Sequence, residues 1–368
     1  VTSDWTPFPR LRAAIEDGIQ RGLHTAVQVC IAHEGEELLN SASGDTAPGR
    51  PLTCNHVMPW RSAGKPLTAW LVVKTMLVDE LTLETPLSEC LPESQNTDKA
   101  SVTIGQLLTH QSGFPDTDTG WPHHSWDESV RRVVNTPATW PAGTAAYHPQ
   151  SSWFLLAEFL RRRIPDGKDR DFAGVLEREV LHPLGMNESS CGVDATVRSF
   201  MPEWMPTIYE RVNGTLQASP WMQAPWLTQP SAGGNVRGPV RDLVTFYEFL
   251  RRALAGESAE IDHQAAQWMT RRHRSGQFDE TLQHVVDFGL GVICDSNHTG
   301  AATVPYGFGR HCSKQTFGHG GAQCAMGFCD PVHKLTVAWA ANGFCGEGQH
   351  QRRNRAINEA IYADLGLV

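Results

Sequence analysis

The sequence predicts a split α/β fold, in which one sheet takes strands from both ends of the chain and helices fill the interval. Three observations carry this. Short strand-like stretches lie near residues 26–43 and again in the last quarter. The interval from about 100 to 200 reads as helices punctuated by Pro and Gly, and a helical pattern stands at each terminus.

Taken in order, residues 8–22 place Leu11, Ala14, Ile15 and Ile19 on one helical face. "TAVQVCIAHEGEELLNSASG" reads as a hairpin: Ala26, Gln28 and Cys30 alternate with Val27, Val29 and Ile31, and Glu34-Gly35-Glu36 supplies the turn. From 62 to 81 the pattern is helical, with Leu67, Trp70, Leu71 and Leu77 among its turns. Pro66 sets the start a few residues upstream, since a missing N–H is harmless only in a first turn. Ser62 therefore stands at a helix N-terminus, where its hydroxyl is expected to cap and the helix dipole favours negative charge. "SVTIGQLLTH", "SSWFLLAEFLRRRI", "DFAGVLEREVLHPLGM" and "VRGPVRDLVTFYEFLRRALAG" give further helices. "DFGLGVIC" and "MGFCDPVHKLTVAWAAN", with a turn at Asp330-Pro331, give strands, and "RRNRAINEAIYADLG" closes as a helix. The expected division is a sheet domain from 1–60 and 230–368 and a mostly helical domain over 61–229, with a site between them.

The 368 residues, 40% hydrophobic and 19% charged, suit a sizeable core. A net charge of −9 and the absence of any run of five basic residues disfavour nucleic acid as a partner. The short runs RRR (161–163) and RRHR (271–274) read as solvated faces. No apolar run is long enough to span a bilayer, so no membrane role is expected. The opening VTSDWTPFPRLRAAIEDG has neither the basic start nor the apolar stretch of a secretory signal. Nine scattered cysteines without CxxC pairs argue against a disulfide framework or structural zinc, so buried thiols in a reducing cytoplasm are expected. His123-His124 lack a HExxH helix or carboxylate partner and read as loop histidines.

"RSAGKPLTAW" holds Ser62 and Lys65 three apart, in a chain with only six lysines. Behind it come, in order, "LLTHQSGF" (107–114), "PAGTAAYHP" (141–149), "PLGM" (183–186), "SAGGNVRGPVRDLVTF" (231–246) and "FGHGGAQCAMGF" (317–328). This ordered set, spanning about 10 to 365, resembles the serine β-lactamase and penicillin-binding-protein-like superfamily. The nearest branch is the class C-like one, with family VIII-type esterases, D-amino-acid peptidases and natural-product transacylases such as the capuramycin type. The resemblance implies a β-lactamase-like fold, an antiparallel sheet flanked by terminal helices with a helical insertion.

The resemblance further implies that Ser62 is an acyl-accepting nucleophile with Lys65 beside it. Tyr147 matches the tyrosine of the family's Tyr-x-Asn element, and His319-Gly320-Gly321 its Lys-Thr-Gly element on an edge strand. The backbone N–H groups of Ser62 and Ala322 would form an oxyanion hole. Serine needs such company, because its hydroxyl is a weak nucleophile without an adjacent base. Either Lys65 or Tyr147 serves as that base. Gly320 and Gly321 would let a substrate approach the strand, and His110 is implied as a structural turn residue. No metal or organic cofactor is implied.

Two positions depart from the pattern. Pro149 stands where Asn is expected, and its side chain can bond neither lysine nor substrate. His319 replaces lysine, so a fixed cation for a substrate carboxylate is lost. Both changes weaken the case for β-lactam or cell-wall peptide cleavage. Trp204, Trp221 and Trp226, in an irregular stretch of 200–230, are expected to supply a pocket wall, with Trp121 and Trp126 contributing from the other side. The expected activity is transfer of an acyl group from a small-molecule donor, an ester or activated amide, to an amine acceptor. Ester hydrolysis with water as acceptor is the first alternative and D-amino-acid peptide or amide cleavage the second. A non-catalytic binding protein on the same fold is the rival class, kept open by Pro149.

Overall fold

A computed structural model describes residues 4–167, 171–193 and 203–368. Its main sheet is antiparallel throughout. The strands are β1 (Ala26–His33), β2 (Glu36–Ala47), β3 (Arg50–Pro51), β4 (Ile293–Cys294), β5 (Phe317–Gly321), β6 (Ala325–Asp330) and β7 (Leu335–Ala341), in the spatial order β4-β5-β6-β7-β1-β2-β3. The two ends of the chain meet where β1 pairs with β7, Val29 opposite Trp339. Glu34 and Gly35 turn the β1–β2 hairpin, both with positive φ, which the twist of a tight hairpin requires.

The alternation along β1 sorts two cores. Val27, Val29 and Ile31 join Leu11, Ile15, Ile357 and Ile361 beneath the terminal helices α1 (Pro9–Gln20) and α6 (Glu347–Asp364). Ala26, Cys30 and Ala32 face the opposite core, shared with α2 (Lys65–Val78), α3 (Ser151–Arg163) and α4 (Val240–Leu254). Gln28 points the same way but is polar and fully buried. Its amide donates to the Thr53 and His56 carbonyls at 2.7 and 2.8 Å and accepts from the Val240 N–H at 3.2 Å. It thereby satisfies an orphan donor at the start of α4.

Several expectations are corrected. "DFGLGVIC" yields only the two-residue β4; its first part is irregular. "EIDHQAAQWMT" forms a helix, α5 (Glu260–Thr270), that the pattern reading passed over. Within 200–230 lies a hairpin, Tyr209–Val212 with Thr215–Ala218, turned by Asn213-Gly214; residues 200–202 lie outside the described residues. RRHR is not a solvated face, because Arg274 is fully buried against Asp279. Among the described residues no helix is long and apolar enough to cross a membrane.

Candidate active site

Ser62 lies in a 3₁₀ turn, Arg61–Gly64, that runs into α2. The turn is anchored by the buried Trp60, whose indole N–H donates to the Gly238 carbonyl at 2.9 Å and whose backbone N–H donates to Val236 at 3.1 Å. Ser62 does not cap the helix: no side-chain cap bond forms, and Gly64 occupies the cap position. Its hydroxyl is engaged elsewhere. One helical turn on, the Lys65 Nζ lies 3.1 Å from Ser62 Oγ and 5.3 Å from the centroid of the Tyr147 ring, whose hydroxyl interacts with the Ser62 side chain.

Lys65 is fully buried. Besides Ser62, its Nζ meets the carbonyl oxygens of Pro149, at 2.8 Å, and Gly233. Burial, and then the positive charge of Arg61, hold its pKa well below the ordinary lysine value. A neutral amine has two N–H donors and one lone pair. The two carbonyls can only accept, so in the neutral form they would take both donors and leave the lone pair toward the Ser62 hydroxyl. The Pro149 side chain is inert as expected, yet its backbone supplies one of these two acceptors.

Tyr147 is held from behind. Its backbone N–H donates to Asp279 Oδ1 at 3.0 Å, and Asp279 forms a wholly buried ion pair with Arg274 at 2.8 Å. Arg274 in turn donates to the Thr109 carbonyl at 3.1 Å, tying in the loop that carries His110. The His110 ring, at a positive-φ turn, packs 4.5 Å from that of Tyr147. Burial raises the Tyr147 pKa above the ordinary phenol range, which keeps the hydroxyl protonated.

The β5 strand passes alongside. β4 pairs only with Phe317 and Gly318, so the stretch His319–Gly321 keeps a free outer edge. Its glycines are required by the protein rather than by a substrate. A Cβ on Gly321 would lie 2.0 Å from the Trp60 carbonyl oxygen, and one on Gly320 2.1 Å from the Tyr306 ring. The strand can lie against the Ser62 turn because Gly321 lacks a side chain, and Tyr306 can close on it because Gly320 does. Ala322 follows at the turn into β6, where Arg353, buried under α6, donates to the Gln323 carbonyl at 2.8 Å. His319 is buried and neutral, its pKa lowered to about 3 by burial and then by Lys65. Its Nδ1 lies 2.8 Å from the Gly320 carbonyl, which can only accept, so Nδ1 carries the proton and Nε2 remains an unpartnered acceptor.

These groups border a cavity of about 540 Å³ whose lining includes Ser62, Tyr147, Trp221, His319, Gly320 and Ala322. Trp221 is the tryptophan that reaches it. Trp226 does not: its ring packs edge-on against His123 at 5.2 Å, and its carbonyl accepts from Asn235. Trp204 is 41% exposed. Trp126 is packed between Phe154 and Phe172, and Trp121 stands behind Trp221 at 6.0 Å. Asp279, Arg274 and Arg353 were not expected at the site, Arg274 having been read as part of a solvated face; each acts through backbone atoms distant in sequence, which leaves no local signature.

The beta-lactamase family pattern matches residues 11–362. Esterase EstB of Burkholderia gladioli is 25% identical over 394 residues, covering 96% of this chain and 95% of that protein. Among solved structures, a family VIII carboxylesterase superposes with a TM-score of 0.78 at 21% identity, covering 99% of both chains. EstCE1, described as a hydrolase with promiscuous acyltransferase activity, gives 0.79 at 19% identity, covering 96% of this chain and 97% of its own. The family match spans nearly the whole chain, sheet and helices alike, and the chain belongs to the beta-lactamase family of serine hydrolase-type enzymes.

Proposed function

We propose that the protein transfers an acyl group from a small ester or activated amide to an amine through an acyl-enzyme on Ser62. The single observation behind this reading is that Ser62 Oγ lies 3.1 Å from the Lys65 amine, with the Tyr147 ring beside that amine, at the wall of an open cavity. In the proposed reaction, Lys65 takes the Ser62 proton as Oγ attacks the acyl carbon. The backbone N–H groups of Ser62 and Ala322 receive the oxyanion. Collapse breaks the ester bond, and the leaving alkoxide takes a proton delivered from Lys65 through the Tyr147 hydroxyl. The amine then attacks the acyl-enzyme, loses its proton by the same route in reverse, and Ser62 is restored.

The apolar residues Trp221, Leu282, Ile293 and Pro305 along the cavity favour an amine over water as acceptor. Plain ester hydrolysis is the second reading, favoured by the likeness to an esterase along the whole chain. Nine free cysteines, most of them buried, support the proposed cytoplasmic setting. A role in tailoring a natural product is part of the proposal.

The test is intact-mass measurement after mixing with a small activated ester. An acyl adduct on the wild type that is missing from Ser62→Ala supports the reading. Turnover by Ser62→Ala at the wild-type rate overturns it.

A further inference from the structure

Arg61 is out of place for a residue that merely precedes a helix. Its backbone sits at φ +50, a conformation uncommon for a non-glycine residue. The guanidinium carbon lies 4.2 Å from the centroid of Trp221 and 4.9 Å from that of Phe344. Those two rings meet at 84°, so the guanidinium carbon rests in an aromatic corner. Aromatic rings attract the charge of the group but offer its N–H donors no oxygen acceptor. Among the described residues no carboxylate and no carbonyl takes them. The carboxylate on the cavity wall, Glu347, accepts instead from the Tyr306 hydroxyl at 2.7 Å.

The guanidinium of Arg61 is half-buried on the cavity lining, and its N–H groups remain open there for an acceptor. Arg61 lines the same cavity as Ser62. The other position where a cation would be sought, His319, is neutral and offers only a lone pair. We propose that Arg61 is the anion anchor of the site, and that the substrate carries a carboxylate held by Arg61 while Ser62 meets its ester carbonyl. This rests on the reading of Ser62 as the acylated residue, and it adds a substrate class: small esters bearing a negative charge. A bidentate fit of guanidinium to carboxylate, beside apolar walls, is the recognition chemistry implied.

The experiment measures equilibrium binding to Ser62→Ala protein, which keeps the cavity and does not depend on turnover. Tryptophan fluorescence follows two matched probe pairs. Monoethyl and diethyl glutarate place the charge on the acyl part. Acetoxyacetate and methyl acetoxyacetate place it on the alcohol part. At least one anion should bind about tenfold or more tighter than its neutral partner, with the preference shrinking as salt rises. Adding Arg61→Gln should abolish that preference, and Arg61→Lys should retain part of it. Equal binding within both pairs overturns the inference. So does an Arg61→Gln variant that weakens charged and neutral probes by the same factor, because Arg61 would then only complete the wall. Neither result touches the acyl-enzyme reading, which stands or falls on the mass adduct at Ser62.

Discussion

The Lys65 Nζ lies 2.8 Å from the backbone carbonyl of Pro149, the position where relatives of this fold are expected to carry asparagine. The replacement removes a side-chain amide but not an acceptor, because the peptide oxygen performs the orienting contact. Together with the Gly233 carbonyl it holds the lysine Nζ beside Ser62. The departure that kept a non-catalytic binding protein open as a reading is thus accommodated by main-chain geometry. The Pro149→Ala variant should keep the contact and retain kcat within about threefold, since only a local φ preference is lost. Steady-state kinetics on a small ester checks this, and a loss of a hundredfold would show that the proline ring itself is needed.

Lys65 and Tyr147 are pushed in opposite directions by the same burial, which assigns them different proposed roles. The lysine pKa falls and the tyrosine pKa rises. A neutral amine is the competent base, so acylation should grow as pH rises through the lowered lysine pKa and then level off. Tyr147, protonated beyond the usual phenol range, should impose no alkaline loss near pH 10. Tyr147→Phe should reduce acylation by roughly 10²–10⁴ and Lys65→Ala by at least as much, with the double variant little worse, because groups working as a unit are not additive. Stopped-flow acylation across pH reads all of this; independent, multiplying losses would refute the shared proton path.

Asp279 and Arg274 form a pair with both side chains wholly buried, and Asp279 also receives the Tyr147 N–H. Breaking such a pair strands a charge. Asp279→Leu alone should destabilise the fold by about 3–5 kcal/mol, whereas Asp279→Leu with Arg274→Met should cost clearly less than the sum of the single changes. Urea denaturation of the four proteins measures the difference. In the double variant any surviving activity should be low even where stability returns, because Tyr147 has lost its backbone anchor.

The acid limb of stability follows from buried histidines. His24, His148 and His319 each have a pKa lowered to about 3, chiefly by burial. An unfolded histidine titrates near 6.5, so below that pH the unfolded chain binds protons that the folded chain refuses. Stability is therefore complete above about pH 6.5 and declines as pH falls from there toward 3. Each such proton steepens the decline by about 1.4 kcal/mol per pH unit. Chemical denaturation between pH 7 and 5, before most carboxylates titrate, should show the loss already under way. A flat profile over that interval would mean the three rings are charged when folded.

How much of this was open to a reader of the sequence depends on where the information sits. The β1 alternation and the Ser62, Lys65, Pro66 spacing are local, and the structure brings Ser62, Lys65 and Tyr147 to one point. The hairpin at Tyr209–Ala218 was also open to view, since Asn213-Gly214 between alternating residues is a strong turn signal that the tryptophans overshadowed. The orientation of those tryptophans was not. Trp221 and Trp226 lie five apart in one loop, yet one meets Arg61 and the other His123. In a loop without periodicity, tertiary packing alone decides such a direction. The same holds for Pro149, whose contribution is a carbonyl that every residue possesses.

The least constrained part of the proposed reaction is the second acceptor. Water is present at very high concentration, so an amine can win only by being held in position, where effective molarities reach about 10⁵ M or more. The cavity favours this on one count: part of its wall is apolar, carried by Trp221, Leu282 and Ile293. His319 Nε2 adds a second. It is an unpartnered acceptor on a residue of the cavity wall, enclosed as it stands, so only a shift of the ring toward the cavity would let it receive an N–H from an incoming neutral amine, and it could not bind an ammonium by charge. Amide formation should therefore rise with pH toward the pKa of the added amine, and His319→Leu should lower the ratio of amide to acid product more than it lowers total turnover. Mass spectrometry of products from one ester donor and a panel of amines measures that partition. If acid is the sole product at every amine concentration, the enzyme is an esterase and the unpartnered nitrogen of His319 serves the water instead.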